Sequence, residues 1–175
     1  AGVLMISNTD VFLTEYDEVL ETYQYITNPS TLLNDMQGYM LWIEDTNHIY
    51  NFSGSMHSGP FGETDNLNRS TSGSGDEGWN MVGNPYPSAI DWNAASGWMK
   101  SDNLGAAIYF YHNGQWEYYL DDTPAGHSEH GSRYIAPGQG FFVRVLNGNT
   151  GTLMMDEDIR VNSTVPFLKP AANSS

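Results

Sequence analysis

Two acidic stretches carry the side chains that would bind a metal ion most readily. Asp121 and Asp122 follow one predicted strand, and Asp156 and Asp158 follow another. Carboxylate oxygens are the ligands that Ca2+ prefers, so each stretch is a candidate calcium site. Neither stretch has the spaced Asp, Asn and Gly pattern of a strong calcium-binding loop, and solvated turn residues are the alternative interpretation.

A candidate zinc site lies in the stretch His127-Ser128-Glu129-His130, which places two imidazoles and a carboxylate in one short loop. Zn2+ binds such groups, but a zinc site needs further ligands that the sequence does not identify. Solvated loop histidines are the alternative interpretation. Apart from Ca2+, the sequence predicts no cofactor.

The sequence contains none of the motifs that mark common catalytic sites. It has no G-x-S-x-G elbow, no H-E-x-x-H helix, no phosphate-binding loop and no cysteine nucleophile. Two of its 21 acidic residues could meet across a cleft, but no spacing points to a particular pair. We therefore predict that the protein is not an enzyme.

The stretch GWNMVGNPYPSAIDW, residues 78–92, contains aromatic side chains around a Pro-Tyr-Pro motif. It begins as a strand and ends at the prolines, which lack the N–H donor that pairing requires. The extended arm that follows would carry Tyr86, Ile90 and Trp92 across one end of a sheet as a buried plug. The alternative is that Tyr86, Trp92 and Trp98 form a platform that stacks on sugars.

Composition and charge narrow the class of protein and its partners. Only 15% of residues are charged, 39% are hydrophobic, and Gly, Ser, Thr and Asn are abundant, which is typical of a β-rich extracellular or cell-surface domain. The formal net charge of −15 makes nucleic acid a poor partner, because phosphate binding needs clustered Lys and Arg. There is no cysteine for disulfides and no long apolar run, so we predict no membrane insertion.

The order of motifs in the first part of the chain recurs in the second part. Tyr23 also matches Tyr118, at the same offset that relates residues 12–16 to residues 107–111. Repetition in a constant order predicts one structural unit used twice, with insertions in the second copy. The matching segments are 2–8 with 78–84, 12–16 with 107–111, and 37–41 with 139–143.

Each copy has the pattern of β-strands. Asn113-Gly114 separates two strand-like runs and predicts a tight hairpin, because both residue types accept a positive φ. Residues 140–146 and 150–155 flank Asn-Gly-Asn and predict a second hairpin. Signals for helices are sparse, with short helical segments expected at 89–99 and 30–36. The fold class predicted is all-β, with antiparallel β-sandwich-like units from two internal repeats and at most short helices.

The period of two assigns side chains to the core. Phe141 and Val143 share one face of their strand in the second copy. Tyr39 and Leu41 occupy the same positions in the first copy, and we expect all four to be buried.

Four N-x-[ST] sequons mark candidate glycosylation sites at Asn51, Asn68, Asn162 and Asn173. Asn51 lies in a predicted strand, which makes it the poorest acceptor. Asn68 lies in the polar segment between the copies and Asn173 in the tail, so both should be accessible.

The segments GWNMVGNPYPSAIDW, AIYFYHNGQWEYY, IAPGQGFFVRV and DIRVNS together resemble a β module of large secreted surface proteins of Bacteroidota. In that family the module is usually found upstream of a type IX secretion sorting domain. The resemblance is densest over residues 78–163, and residues 1–56 resemble its usual N-terminal companion. It implies export and a β-sandwich-like fold, and it implies no catalytic residues.

The chain divides into four predicted parts: residues 1–56 as the first repeat, 57–77 as a polar linker or long loop, 78–164 as the second repeat, and 165–175 as a C-terminal strand or tail. Apolar segments near both ends predict a cell-surface filament or adhesin stalk, in which a strand of one subunit completes a sheet of the next. The alternative function is a carbohydrate-binding module that binds polysaccharide, and the alternative for the end segments is pairing within their own chain. The predicted assembly residues are Val3, Leu4, Met5, Ile6, Val165, Phe167 and Leu168.

Overall fold

The computed structural model describes residues 2–4, 11–28, 30–43, 52–53 and 58–168. These residues form an all-β protein with several antiparallel sheets, which confirms the predicted fold class. Their one helical segment is a 3-10 turn at Glu157–Ile159. The strands are β1 Gly2–Leu4, β2 Val11–Asp17, β3 Thr22–Tyr25, β4 Leu32–Leu33, β5 Tyr39–Ile43, β6 Phe52–Ser53, β7 Leu67–Asn68, β8 Trp79–Gly83, β9 Ala89–Asp91, β10 Trp98–Lys100, β11 Ile108–His112, β12 Gln115–Tyr119, β13 Tyr134–Ile135, β14 Gly140–Arg144, β15 Thr150–Gly151, β16 Leu153–Met155 and β17 Arg160–Val161.

Two larger sheets form the centres of the two repeats. The first-unit sheet has the strand order β3-β2-β5, and the second-unit sheet has the order β12-β11-β14-β8. Smaller sheets surround them, in the orders β4-β1-β6, β13-β9-β17, β10-β16 and β15-β7. All of the pairings are antiparallel, so each sheet can bury one face and leave the other accessible.

The register of the strands supports the predicted repeat. Thr14 on β2 pairs with Met40 on β5, and Tyr109 on β11 pairs with Phe142 on β14. These pairs are related by the offsets found in the sequence, 95 residues (109 − 14) and 102 residues (142 − 40). Two segments with the same offsets therefore occupy the same place in two sheets, as the repeat predicts.

The match does not extend to the first strand of each copy. β8 pairs with β14 in the second unit, but its sequence counterpart β1 pairs with β4 and β6 instead of β5. That part of the repeat prediction was wrong. The outer edge of β8 is taken up by the first unit itself, where Gly38 donates to the Met81 carbonyl and Gly83 donates to the Met36 carbonyl.

The main core lies on one face of the second-unit sheet, between it and the β13-β9-β17 sheet. Phe141 and Val143 are fully buried there, as predicted. Tyr39 and Leu41 of the first unit are only half-buried, so the prediction was wrong for them. Phe141 and Val143 belong to the main core cluster, whereas Tyr39 and Leu41 do not.

The Pro-Tyr-Pro arm forms the predicted plug. Tyr86, Ile90 and Trp92 are all fully buried in the core cluster. The Tyr86 hydroxyl donates to the Gly59 carbonyl at 2.8 Å, and the Trp92 indole donates to the Ala106 carbonyl at 2.7 Å. Each buried polar group of these rings is thus satisfied, which is what burial of Tyr and Trp requires.

Local sequence signals were right at one turn and wrong at two other places. Asn113 and Gly114 have φ angles of 50° and 81°, which confirms the tight hairpin between β11 and β12. The predicted hairpin around residues 147–149 does not form, because β15 pairs with β7 and β16 pairs with β10. Residues 89–99 contain two short strands and turns instead of the expected helix, and residues 30–36 hold the short strand β4.

Residues 58–77 connect the first-unit sheet to the second-unit sheet along the chain. Part of this segment pairs with strands of the second unit. Leu67 on β7 pairs with Gly151, and Phe61 exchanges two main-chain hydrogen bonds with Met155. The segment therefore contributes a short strand and a bridge to the second unit. How the chain divides into independent parts stays a prediction.

Candidate functional site

The residues predicted as a sugar-stacking platform do not form one. Tyr86 and Trp92 are about 1% and 2% exposed, and Trp98 is half-buried with its ring centre 5.0 Å from that of Trp92. A sugar cannot reach rings that already pack inside the core. The structural alternative, a buried plug, is the correct one for Tyr86 and Trp92.

Lys100 closes the outside of this plug. Its ammonium group lies 3.3 Å from the centre of the Trp92 ring and donates to the Trp92 carbonyl at 2.8 Å. Burial of this amine lowers its pKa to about 8, against a smaller upward effect of the nearby Asp91 carboxylate. The lysine acts as a cationic lid over the two indoles.

An accessible set of aromatic rings lies instead on the outer face of the second-unit sheet. Residues opposite one another in an antiparallel pair share a face, so Tyr109, Tyr118 and Phe142 stand side by side. Tyr111 opposite Trp116 extends the same face. We call these five residues, together with Trp79 at the β8 end, the aromatic face.

Most rings of the aromatic face are open to solvent in part. Trp116 is 53% exposed, and Tyr109, Tyr111 and Tyr118 are half-buried. Phe142 is buried beneath them, 5.4 Å from the Trp116 ring centre in an edge-to-face contact. Edge-to-face packing of this kind holds the rings in fixed positions while leaving part of each surface free.

The first unit provides one wall of this face. Tyr16 on β2 contacts Phe142 at 5.5 Å and Tyr23 on β3 at 5.3 Å between ring centres. Burial raises the pKa of both tyrosines, followed by the nearby Glu21 carboxylate for Tyr16. Both phenols are therefore neutral hydrogen-bonding groups at physiological pH.

A cleft of about 1260 Å3 opens beside the aromatic face, between the first unit, the loop at residues 58–68 and β8. Tyr16 and Met81 line this cleft and also adjoin Phe142, so the cleft and the face are continuous. The described residues that line the cleft include no Lys, Arg or His. They include several amides and the carboxylates of Glu15, Asp17, Glu18, Asp35 and Glu63.

One of these carboxylates links the two units. Glu18 is buried, and its oxygens accept hydrogen bonds from the Ser70 N–H at 2.7 Å and the Gly78 N–H at 2.7 Å. Gly78 immediately precedes β8, so a side chain of the first unit caps the start of the second-unit sheet. A buried carboxylate held by main-chain donors is a structural group rather than a free acid or base.

The predicted metal ligands make hydrogen bonds within the chain, and two of them, Asp121 and Asp156, cap turns. Asp121 accepts hydrogen bonds from the N–H and hydroxyl of Thr123, and these bonds lower its pKa. Asp122 accepts from the Tyr119 hydroxyl at 2.9 Å. Asp156 caps the 3-10 turn by accepting from the Asp158 N–H at 2.9 Å.

No group of three or more His, Cys, Asp or Glu side chains suited to a metal ion occurs within the described part of the chain. His127 stacks on the Tyr119 ring at 6.4 Å, whereas His130 contacts the His112 ring at 4.9 Å. The two histidines of the candidate zinc loop therefore face different partners. Calcium binding stays a prediction at Asp121, Asp122, Asp156 and Asp158.

Two of the four sequons can be placed. Asn68 on β7 and Asn162 after β17 are both exposed, so their side chains are accessible for modification. Asn51 and Asn173 lie outside the described residues. Glycosylation at any of these positions stays a prediction.

The predicted assembly segments follow the intrachain alternative where they are described. Val3 pairs with Leu32 on one side and Ser53 on the other, and Leu4 pairs with Phe52, so β1 is the central strand of its own sheet. Strand addition through these two residues is therefore wrong for this structure, because their sheet positions are already filled. Met5 and Ile6 lie outside the described residues.

The C-terminal segment does not form a strand within the described residues. The Leu168 N–H donates to the Gln139 side chain at 2.7 Å, and Val165 and Leu168 line a groove of about 250 Å3 beside Phe110. Phe167 is exposed. Residues 165–168 therefore follow the tail alternative of the prediction, and residues 169–175 lie outside the described residues.

Sequence reasoning missed the aromatic face, although a signal was present. Tyr109 and Tyr111 alternate with core residues on β11, and Trp116 and Tyr118 do so on β12. A period of two that is aromatic on both faces predicts one buried set and one accessible set. The stacking platform could have been sought on these strands instead of the Pro-Tyr-Pro arm.

The fold defines the class of protein as an all-β chain of two related sheet units that share an aromatic junction. The described residues include no helix long and apolar enough to cross a lipid bilayer. The chain belongs to the family described as Domain of unknown function (DUF8693), whose model matches residues 4–175. No curated protein and no solved structure matches the chain significantly.

Proposed function

We propose that the protein is a non-enzymatic extracellular module that binds a neutral polysaccharide on its aromatic face. The observation that carries the proposal is a set of partly exposed rings on one face of a four-stranded sheet: Trp116, Tyr109, Tyr111 and Tyr118. Sugars present C–H groups that stack on ring faces, and tyrosine hydroxyls add hydrogen bonds at the ring edge. No cofactor is part of the proposal.

The charge distribution favours a neutral ligand over an acidic one. The cleft beside the aromatic face is lined by carboxylates and amides, and the chain carries a net charge of −15. Uronic acid or sulfated polysaccharides would be repelled, whereas carboxylates and amides bind the hydroxyl groups of neutral sugars well. Bacteroidota surface proteins, which the sequence resembles, are the setting in which we place this activity.

The test is affinity electrophoresis through gels that contain a neutral polysaccharide, with an acidic polysaccharide gel in parallel. We expect retardation in the neutral gels that corresponds to a dissociation constant of about 1 mM or lower, near −4 kcal/mol. Trp116→Ala and Tyr118→Ala should each weaken binding by about tenfold, equivalent to about 1.4 kcal/mol.

Trp42→Ala is the matched control, because Trp42 on β5 is about as exposed as Trp116 but belongs to the first-unit sheet. Thermal unfolding of each variant establishes that the fold is kept. If no neutral polysaccharide retards the wild-type chain, or if Trp42→Ala weakens binding as much as Trp116→Ala does, the assignment to the aromatic face fails.

A structural subunit of a cell-surface filament or adhesin stalk is the second candidate. The observation that favours it is an edge of β3 that no described residue pairs with, since exposed edges pair with strands of other chains. Light scattering and electron microscopy of the purified chain test it: filaments would support it, and a closed dimer would count against it. Monodisperse monomers over a wide concentration range would count against it.

A further inference from the structure

The two units treat equivalent strands differently at their outer edges. β3 and β12 are the edge strands that follow β2 and β11, and they correspond in the sequence repeat through Tyr23 and Tyr118. A strand edge exposes unpaired N–H and C=O groups, and proteins usually cover or block it. The second unit therefore shows how this molecule covers an edge, and the first unit can be compared with it.

The outer edge of β12 is covered by the loop that follows it. The Tyr118 N–H donates to the Ser128 hydroxyl at 2.8 Å, and the Ser128 N–H donates to the Tyr118 carbonyl at 3.0 Å. Farther along the chain, the Leu120 N–H donates to the Gly126 carbonyl at 2.6 Å. Both outward main-chain groups of Tyr118 are thus satisfied.

The outer edge of β3 has no such cover within the part of the chain that the structure describes. The Ile26 N–H donates to the Leu13 carbonyl at 2.9 Å, so alternate residues from Ile26 backwards turn their main chain toward β2. Tyr23 and Tyr25 consequently turn their N–H and C=O groups outward. The Tyr25 side chain is 66% exposed.

β3 lacks two of the features that usually protect an edge strand. Its sequence, Thr-Tyr-Gln-Tyr, contains no charge and no proline. Phe12, 38% exposed, contacts Tyr25 at 5.9 Å between ring centres and extends the apolar surface beside the edge. The edge strand is therefore uncharged and rich in aromatic residues, in a chain whose net charge is −15.

We propose that β3 pairs antiparallel with β3 of a second copy of this chain. The strand is self-complementary, because Tyr23-Gln24-Tyr25 reads the same in both directions. A two-fold axis at Gln24 places Tyr23 opposite Tyr25 of the other copy. These are the residues whose main-chain groups point outward, so each such pair exchanges two hydrogen bonds. Gln24 then faces its own counterpart in the intervening non-hydrogen-bonded pair.

The acidic surface does not prevent this contact. Glu15 is the carboxylate opposite Gln24 on β2, and in the dimer it would lie about three strand spacings, or roughly 14 Å, from its counterpart. That distance exceeds the Debye length of about 8 Å at physiological ionic strength, so the repulsion is largely screened. Dimerisation should accordingly strengthen as salt is added. The contact is isologous and closes as a dimer, unlike the head-to-tail filament.

Because the chain contains no cysteine, a single introduced cysteine can form a disulfide only between two molecules. In the proposed register, residue 24 meets its counterpart at a Cα distance of about 4.5 Å, which suits a disulfide. Gln24→Cys should therefore convert to a covalent dimer under mild oxidation. Thr22→Cys is the matched control on the same strand, since its counterpart would lie about 14 Å away along the ladder.

The noncovalent test is light scattering of the cysteine-free chain at about 0.3 M salt over a range of protein concentrations. We expect a dimer that Tyr25→Lys converts to monomer. Leu120→Lys, at the residue that follows the covered strand β12, should leave the dimer intact. A wild-type chain that stays monomeric, equal cross-linking of the two cysteine variants, or a dimer that persists in Tyr25→Lys would each overturn the proposal. The inference is independent of glycan binding, so failure of either leaves the other standing.

Discussion

The second-unit sheet is built into the main core of the protein, whereas the described side chains on β5 of the first-unit sheet are half-buried or exposed. β2 and β5 pair in the same register as β11 and β14. Ile108 and Phe110 on β11 and Phe141 and Val143 on β14 are buried. Tyr39 and Leu41 on β5 are half-buried, and Trp42 is 47% exposed.

The difference comes from what was inserted. Only the second copy has the Pro-Tyr-Pro arm, which lays Tyr86, Ile90 and Trp92 over the inner face of its sheet. Among the described residues the first-unit sheet has no such arm, and apolar side chains such as Trp42 and Phe12 stay exposed. The same strand pattern therefore yields a core in one copy and a contact surface in the other.

The largest expected effect is on stability, when one tryptophan from each unit is replaced by alanine. Trp92→Ala empties the plug and should lower the free energy of unfolding by about 3–5 kcal/mol, because it leaves a large cavity in the core. Trp42→Ala removes an exposed ring of the same type and should cost less than about 1 kcal/mol. Urea unfolding monitored by circular dichroism measures both. Equal losses would mean that the first-unit sheet is as well packed as the second.

The next effect concerns the contact between the units. Glu18→Ala leaves the buried N–H groups of Ser70 and Gly78 without their acceptor and should cost about 2 kcal/mol. Glu15→Ala, a half-exposed position on β2, is the control and should change stability by less than about 0.5 kcal/mol. Amide hydrogen exchange should show faster exchange at residues 70–78 in Glu18→Ala alone. Unchanged protection there would show that Glu18 does not hold the units together.

A smaller effect tests the hairpin of the second unit. Gly114 has a φ of +81° with no atom near the position of a Cβ, so Gly114→Val should cost about 1 kcal/mol or more through backbone strain alone. Gly114→Asn tolerates the same φ and should cost much less. Thermal unfolding compares the three chains. An unaffected melting temperature in Gly114→Val would show that the turn relaxes without strain.

The smallest expected effect is a change in stability with pH that arises from Lys100, over the Trp92 ring. The folded pKa of Lys100 is lowered to about 8 from 10.5, so between these values the unfolded chain binds more protons than the folded one. Stability must therefore rise with pH through this window, and the cost of the buried charge is fully present below pH 8. After allowance for partial exposure, we expect a rise of about 1 kcal/mol between pH 7.5 and 10.

Lys100→Met removes this titration and serves as the reference. The quantity to measure is the difference in free energy of unfolding between the wild-type chain and Lys100→Met at each pH. Burial raises the pKa of Tyr86 to about 12, and this tyrosine is present in both chains. Its contribution to the pH dependence of stability therefore cancels in the difference. A difference that stays constant from pH 7.5 to 10 would show that Lys100 titrates normally.

Much of the fold could be read from local patterns. The alternation in residues 107–120 places its hairpin correctly, and Asn113-Gly114 sets the turn because both residues accept a positive φ. The candidate site could be read less well, since a stacking platform was sought at Tyr86 and Trp92, which the structure buries. The resemblance to the Bacteroidota module, and the export it implies, stays a prediction.

By itself, the sequence determined the longer strands of both units, the proline stop after β8, and the repeated order of motifs, because these depend on neighbouring residues. Tertiary structure alone decided which strands pair. β15 pairs with β7 rather than with β14, and β1 pairs with β4 and β6 rather than with β5. It also decided which rings face water, because burial depends on what other segments cover a face. Local preferences are similar on covered and uncovered sheets, so only the packing of distant segments distinguishes Trp92 in the core from Trp116 on the aromatic face.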